Sequence, residues 1–180
     1  MIECAARKKE QHLKPAGHCL PGRTPFSMPL IVLCLLFVFS IPPSWAGLEA
    51  GTEAYRNGDY TNAFKALLPL AEQGSAEAQT TVAELYERGL GVLQDYAQAR
   101  RWYHLAAEQG DSKAQFNLGE LYEIGQGVPQ NMVLAHMWYS LAAAGGDSEA
   151  ARLRDTVGKL LTPAQMAEAK KLARDWRPKK

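Results

Sequence analysis

The ten residues "WYHLAAEQGD", Trp102–Asp111, return as "WYSLAAAGGD", Trp138–Asp147, at an offset of 36 residues. A repeat at a fixed period constrains a fold strongly, because each copy must be one supersecondary unit that buries its apolar face against the next copy. Extended in both directions, the copies align without a gap as residues 76–111, "AEAQTTVAELYERGLGVLQDYAQARRWYHLAAEQGD", and residues 112–147, "SKAQFNLGELYEIGQGVPQNMVLAHMWYSLAAAGGD".

Each copy reads as two helices. In the first, Ala78, Val82, Leu85 and Tyr86 follow the spacing of one helical face, matched by Ala114, Leu118, Leu121 and Tyr122. In the second, the face is Ala99, Trp102, Tyr103 and Ala106, matched by Ala135, Trp138, Tyr139 and Ala142. Large rings bury much apolar area, so these tryptophan-tyrosine pairs read as core rather than as a ligand platform. Between the helices stand "GLGV" and "GQGV", whose first glycine suits the left-handed residue that closes a helix. Asp95 and Asn131 are fitting N-caps for the second helices, and Asp95 with Gln98 has capping-box spacing. Gly110 and Gly146 end those helices, and the aspartate after each caps the next.

A degenerate copy over residues 47–75 ends in "AEQG", which sets Gly74, Gly110 and Gly146 at equal intervals; its inter-helix turn, Tyr55 to Tyr60, is shorter than Tyr86 to Tyr96. Terminal repeats are often atypical because one of their faces is uncovered. After Asp147 the pattern fades. "TPAQ" then offers Thr162 as N-cap, Pro163 at the first helical position and Gln165 as box partner, which predicts a final capping helix over about Ala164–Trp176. Residues 148–180 are therefore C-terminal capping helices and a basic tail.

The A-x-x-x-L-G-x-x-Y…G-x-G-V…W-Y-x-x-A-A-x-x-G-D string resembles the Sel1-like repeat, a helix-turn-helix unit of the tetratricopeptide type. The resemblance implies an all-α fold, a short α-solenoid of antiparallel helix pairs with a C-terminal capping helix, and adaptor or assembly roles at the bacterial envelope. Ala83 departs from the motif, which prefers glycine there. The cysteines that staple one branch of the family are absent from the repeats, which speaks against that branch and its penicillin-binding activity.

Upstream, "PLIVLCLLFVFSI" (29–41) is shorter than the ~20 residues a membrane-spanning helix needs and has the length of a signal-peptide core. Basic residues precede it, "PP" follows, and "SWA" offers the small-x-small pattern of a cleavage site, so residues 1–46 read as an N-terminal extension and signal peptide cut after Ala46. Met1 and Met28 are alternative starts, and an uncleaved anchor is the rival reading. Cys34 does not fit a lipid-attachment site, because Leu33 precedes it and apolar sequence continues beyond. Cys4, Cys19 and Cys34 all lie before the cut, leaving the mature chain without disulfide, thiol nucleophile or thiolate metal site. The expected location is periplasmic or secreted; with an uncleaved segment, it is the inner membrane.

Signs of catalysis are absent from the sequence. The glycine turns follow no strand and lack the Lys-Ser/Thr ending of a phosphate loop, and there is no G-x-S-x-G, H-E-x-x-H or S-x-x-K. His104 and His136 occupy different repeat positions without a third ligand, so each reads as a surface or partly packed substitution and no metal or cofactor is expected.

What remains is surface. If the array curves as tetratricopeptide arrays do, its first helices line the concave face. Outside their buried stripe stand Glu77, Thr80, Glu84, Glu87 and Arg88 in one copy, and Lys113, Phe116, Glu120, Glu123 and Ile124 in the next. Glu84 matches Glu120 and Glu87 matches Glu123, a stacked negative stripe with Phe116 and Ile124 as apolar anchors. Gly47–Gly158 holds eight Lys/Arg against fifteen Asp/Glu, a balance of −7, whereas Lys159–Lys180 holds seven against two, or +5. The basic "RPKK" end reads as solubilising or as touching an anionic surface.

The sequence thus points to an exported, non-enzymatic adaptor that holds a protein or peptide, a basic one suiting the stripe, and no nucleic acid. Two alternatives stay open. One is a cell-wall hydrolase or ligand-binding enzyme with Glu84 and Glu120 as acid and base, although repeat-equivalent residues should see similar environments. The other is a membrane-anchored scaffold.

Overall fold

A computed structural model of the chain describes residues 44–179. The signal-peptide core, the three cysteines and the alternative starts lie outside the described residues. The structure is all-α: three antiparallel helix pairs, α1 (Ser44–Arg56) with α2 (Tyr60–Glu72), α3 (Ala76–Arg88) with α4 (Tyr96–Glu108) and α5 (Ser112–Ile124) with α6 (Met132–Ala144), are followed by α7 (Ser148–Gly158) and α8 (Pro163–Asp175). All six paired helices are 13 residues long. Successive helices pack on one another from α1 to α7, the nearest-neighbour order of a helical-repeat solenoid.

The apolar stripes are buried as their spacing predicts. Ala78, Val82, Leu85, Ala114, Leu118 and Leu121 are fully covered, as are Tyr103 and Tyr139, and Trp102 and Trp138 keep 7% and 5% exposure. Most of these side chains join one cluster running from Leu67 to Trp138, so each repeat's seam is closed by the next repeat.

The caps follow the sequence closely. Asp95 accepts the N–H groups of Ala97 and Gln98, and Asn131 those of Val133 and Leu134. The capping box with Gln98 does not form, since only the aspartate side of it is bonded. Both halves of the box are present at Thr162 and Gln165. Gly89 and Gly125 close α3 and α5 in the left-handed conformation, φ 65° and 84°.

The second glycine of each turn has a different role. Gly91 and Gly127 also have positive φ, and a Cβ there would lie 2.5 Å from the Tyr60 carbonyl carbon and 2.7 Å from the Tyr96 carbonyl oxygen. Each turn therefore seats its glycine on the first residue of the preceding repeat's second helix. The turn is an inter-repeat joint, and only a residue without a side chain fits.

The degenerate first pair is in a different register from the one its tyrosines suggest. Arg56 ends α1 as Arg88 ends α3, which sets Tyr55 against Glu87 rather than Tyr86. Packing agrees: a Cβ on Gly51 would fall 2.5 Å from Leu67, as one on Gly119 would fall 2.5 Å from the Tyr139 ring, and Leu67 and Tyr139 hold equivalent places. A small residue faces a large one in both pairs.

The C-terminal helix caps the array differently from a simple next layer. It packs on α6, and Leu172, Ala173 and Trp176 join the main cluster. The chain then reaches back to α4, where Lys179 N–H donates to the Glu108 carbonyl at 2.7 Å and Lys179 Nζ pairs with the Glu108 carboxylate at 2.5 Å. Lys179 thereby ties the basic tail to the array while its side chain stays largely exposed.

Candidate partner-binding face

The residues expected on the face lie on α3 and α5, and they differ in availability. Glu84 is 8% exposed and bridges three repeats: the Tyr55 hydroxyl donates to it at 3.0 Å and Lys113 pairs with it at 2.5 Å. Arg88, exposed, approaches the Tyr55 hydroxyl at 3.4 Å. Burial first, and then the Glu84 charge, raises the Tyr55 pKa above its ordinary value, so the hydroxyl stays a donor.

Glu87 and Glu123 are bound from behind. The Tyr103 hydroxyl donates to Glu87 Oε2 at 2.7 Å and the Tyr139 hydroxyl to Glu123 Oε2 at 2.6 Å, the same bond made twice. Burial and then these carboxylates push both tyrosine pKa values far up, which locks the donors in place. The tyrosine of each Trp-Tyr pair thus packs its ring in the core and orients a carboxylate on the face with its hydroxyl. The sequence carried this signal as an equal Glu-to-Tyr interval in both copies.

Thr80 departs from the expectation of an open position. It is 3% exposed and donates to Asp111 Oδ1 at 3.1 Å, a bond from α3 to the N-cap of α5. Phe116 is half-buried and its ring lies 5.8 Å from that of Tyr139, so it is tied into the second apolar cluster. Glu77 is exposed at the edge and Ile124 is 62% exposed. Two buried glutamines were missed by sequence reasoning: Gln79 donates to the Ala71 carbonyl at 2.9 Å and Gln115 to that of Ala107 at 3.2 Å, stapling each first helix to the preceding second helix. Side-chain amides on a helix look like surface until the neighbouring carbonyl is seen.

Glu120 is the member left over. Half-buried, it has neither an ion pair nor a hydrogen bond among the described residues. Burial first, then the charges of Glu87, Glu123 and Glu149, raises its pKa. The contrast with Glu84 corrects the expectation of similar environments and has a simple origin. Lys113, which neutralises Glu84 from the next repeat, is replaced one repeat further on by Glu149, which pairs instead with Arg152 on its own helix. The repeat is kept, but its cation is lost. The split removes the sequence-based argument against an acid/base pair.

His104 is partly exposed beside Glu108 and edge-on to Trp138, whereas His136 is 4% exposed, so of the surface and packed readings it takes the packed one. Among the described residues no three His, Cys, Asp or Glu side chains converge as metal ligands, and no helix is long and apolar enough to cross a membrane.

Paired helices in tandem, a continuous apolar seam and turns that lock one repeat to the next define a helical-repeat protein. The family model described as the Sel1 repeat matches residues 76–111 and 112–147. The chain thus contains two Sel1 repeats. Its fold is similar to the crystal structure of c5321, a protective antigen present in uropathogenic Escherichia coli strains displaying an SLR fold, with 30% identity and TM-score 0.71 over 74% of this chain and 30% of that one. It is also similar to a Sel1 repeat protein from Oxalobacter formigenes, with 33% identity and TM-score 0.59 over 71% of this chain and 54% of that one. The chain thus spans about a third of the first relative's length and about half of the second's. No curated protein gives a significant match. Sel1 repeats are protein-interaction modules, in general non-enzymatic scaffolds.

Proposed function

We propose that this chain is an exported adaptor whose first-helix face, the concave one, holds a basic segment of a partner protein. The observation that carries the proposal is Glu120. A half-buried carboxylate flanked by three others lacks the cation that its equivalent, Glu84, receives from Lys113. A lysine or arginine from a partner supplies that missing charge, and Glu87 and Glu123, each held by a tyrosine hydroxyl, add negative charge around Glu120. Ile124, exposed at the end of α5, offers an apolar contact beside the acidic patch.

The test is titration of the protein with a lysine-rich peptide at low and moderate salt. Glu120→Gln is the informative variant, since Phe116→Ala would also loosen packing against Tyr139. Binding should weaken about tenfold, the scale of one charge-assisted contact, and fall with added salt. Equal binding by wild type and Glu120→Gln removes the proposal.

Export rests on the apolar run 29–41 and the "SWA" site. Cutting after Ala46 would fall in the first turn of α1 and leave the three helix pairs. Mass spectrometry of the mature N-terminus should find Gly47 first; a retained leader would favour the anchored scaffold instead.

A further inference from the structure

Residues of α6, α7, α8 and the turn before α8 line an open cleft of about 630 Å³. Its lining contrasts with the acidic array. Arg154 from α7, Lys159 from the following turn and Lys170 from α8 bring three cations against the single carboxylate of Asp155. Asp155 Oδ1 is engaged by its neighbour, accepting from Arg154 Nε at 2.9 Å and from Nη2 at 2.7 Å. Lys159 and Lys170 have no ion-pair partner among the described residues. Two ammonium groups therefore line one space without an ion-pair partner among the described residues.

The same cleft is lined by His136, 4% exposed, and by Ser140 one turn further along α6. The Ser140 hydroxyl donates to the His136 carbonyl at 2.7 Å, which leaves its oxygen to accept from the imidazole Nδ1–H at 3.4 Å. In the neutral tautomer that makes this bond, Nε2 is the unprotonated nitrogen. That edge of the ring faces Gly158, where a Cβ would come within 3.5 Å of Cδ2, 3.6 Å of Nε2 and 3.0 Å of Met166 Cε. A side chain at position 158 would therefore crowd the imidazole edge where it lines the cleft.

Several cationic donors around one bare acceptor match an anion that brings its own proton. A carboxylate is fully ionised near neutrality. A phosphate group, with its second pKa at about 6, still has a proton to share. We propose that this cleft binds a phosphate group, its oxygens on Lys159, Lys170 and Arg154 and one proton shared with His136 Nε2. The cleft is larger than one phosphate, and Met166 gives it an apolar edge, so inorganic phosphate and a small organic phosphomonoester present the same group to it.

The proton makes binding depend on pH. Burial, then the charges of Arg154 and Lys170, hold the His136 pKa below its ordinary value, with Asp155 acting the other way. These groups, with Lys159 in the turn and Ser140 on its own helix, are what face the ring. A bound dianion offsets the two cations, so the complex takes up a proton that the separate partners lack at about pH 8. Affinity rises as pH falls from there toward about 6.

The experiment is an NMR titration of the His136 ring resonances in the whole protein with inorganic phosphate, glycerol phosphate and sulfate, at both ends of that pH range. Phosphate should shift the ring signals and raise the His136 pKa, and sulfate, which has no proton to share, should bind at least about tenfold more weakly at the lower pH. Lys159→Gln and Lys170→Gln, both at exposed positions, should each weaken phosphate about tenfold, and Asp155→Asn should strengthen it. Tighter binding of glycerol phosphate would make the ester the preferred source, and equal binding the phosphate group alone; both support the proposal. Unmoved His136 signals, lysine variants that bind as wild type, or sulfate binding as well as phosphate would overturn it.

Discussion

Tyr139 shows how much one side chain does in this array. Its ring fills the space left by Gly119, and its hydroxyl fixes Glu123. Removing only the hydroxyl separates the two roles: Tyr139→Phe should cost about 1 kcal/mol in urea unfolding, the net worth of one hydrogen bond. It should also leave the Glu123 carboxylate free to move. The glycines separate in the same way. Gly146 has φ 100° with nothing within 4 Å of a Cβ, whereas Gly127 has φ 67° and would drive a Cβ against the Tyr96 backbone. Gly146→Ala should therefore cost about 1 kcal/mol of backbone strain, and Gly127→Ala more by about 1–3 kcal/mol of overpacking. Equal thermal shifts for the two would show that the turn does not seat on its neighbour. Neither contact was legible in the sequence, where both glycines look like turn residues.

The helices were legible because every stripe is written at least twice, so chance periodicity is averaged away. Trp102 and Trp138, Gly89 and Gly125, and Asp95 and Asn131 each confirm the other's role by recurring in register. What escaped reading was whatever breaks the period. The exchange of Lys113 for Glu149 is visible as letters, but its effect on Glu120 depends on which helix faces which. The docking of Lys179 on Glu108 has no copy elsewhere and spans most of the described chain. Glu120 also marks α5 with a pH response. Its folded pKa is raised above the unfolded value, so the native state holds its proton longer. The stability it contributes is full below the unfolded carboxylate pKa, about 4.3, and is lost as pH rises through the folded value. Glu120→Gln should then unfold at a higher temperature than wild type at neutral pH and at nearly the same temperature below about pH 4. A gap that is equal at both ends would contradict the buried-charge account.

Across the whole chain, three helix pairs make a short array, closed at its end by α8 and by the return of the tail to α4. The acidic face and the basic cleft share only α7, which gives Glu149 to the first and Arg154 and Asp155 to the second, so variants at Glu120 and at Lys170 let the two proposals fail separately. The central claim is that the first-helix face has an unmet need for a cation at Glu120, and Glu149→Lys tests it most directly by restoring within the chain what Lys113 provides for Glu84. The measurement is the affinity of the lysine-rich peptide for this variant, alongside its melting temperature at neutral pH. The account predicts a more stable protein that has lost peptide binding by about tenfold or more. A variant that is no more stable and binds the peptide as tightly as wild type would contradict it.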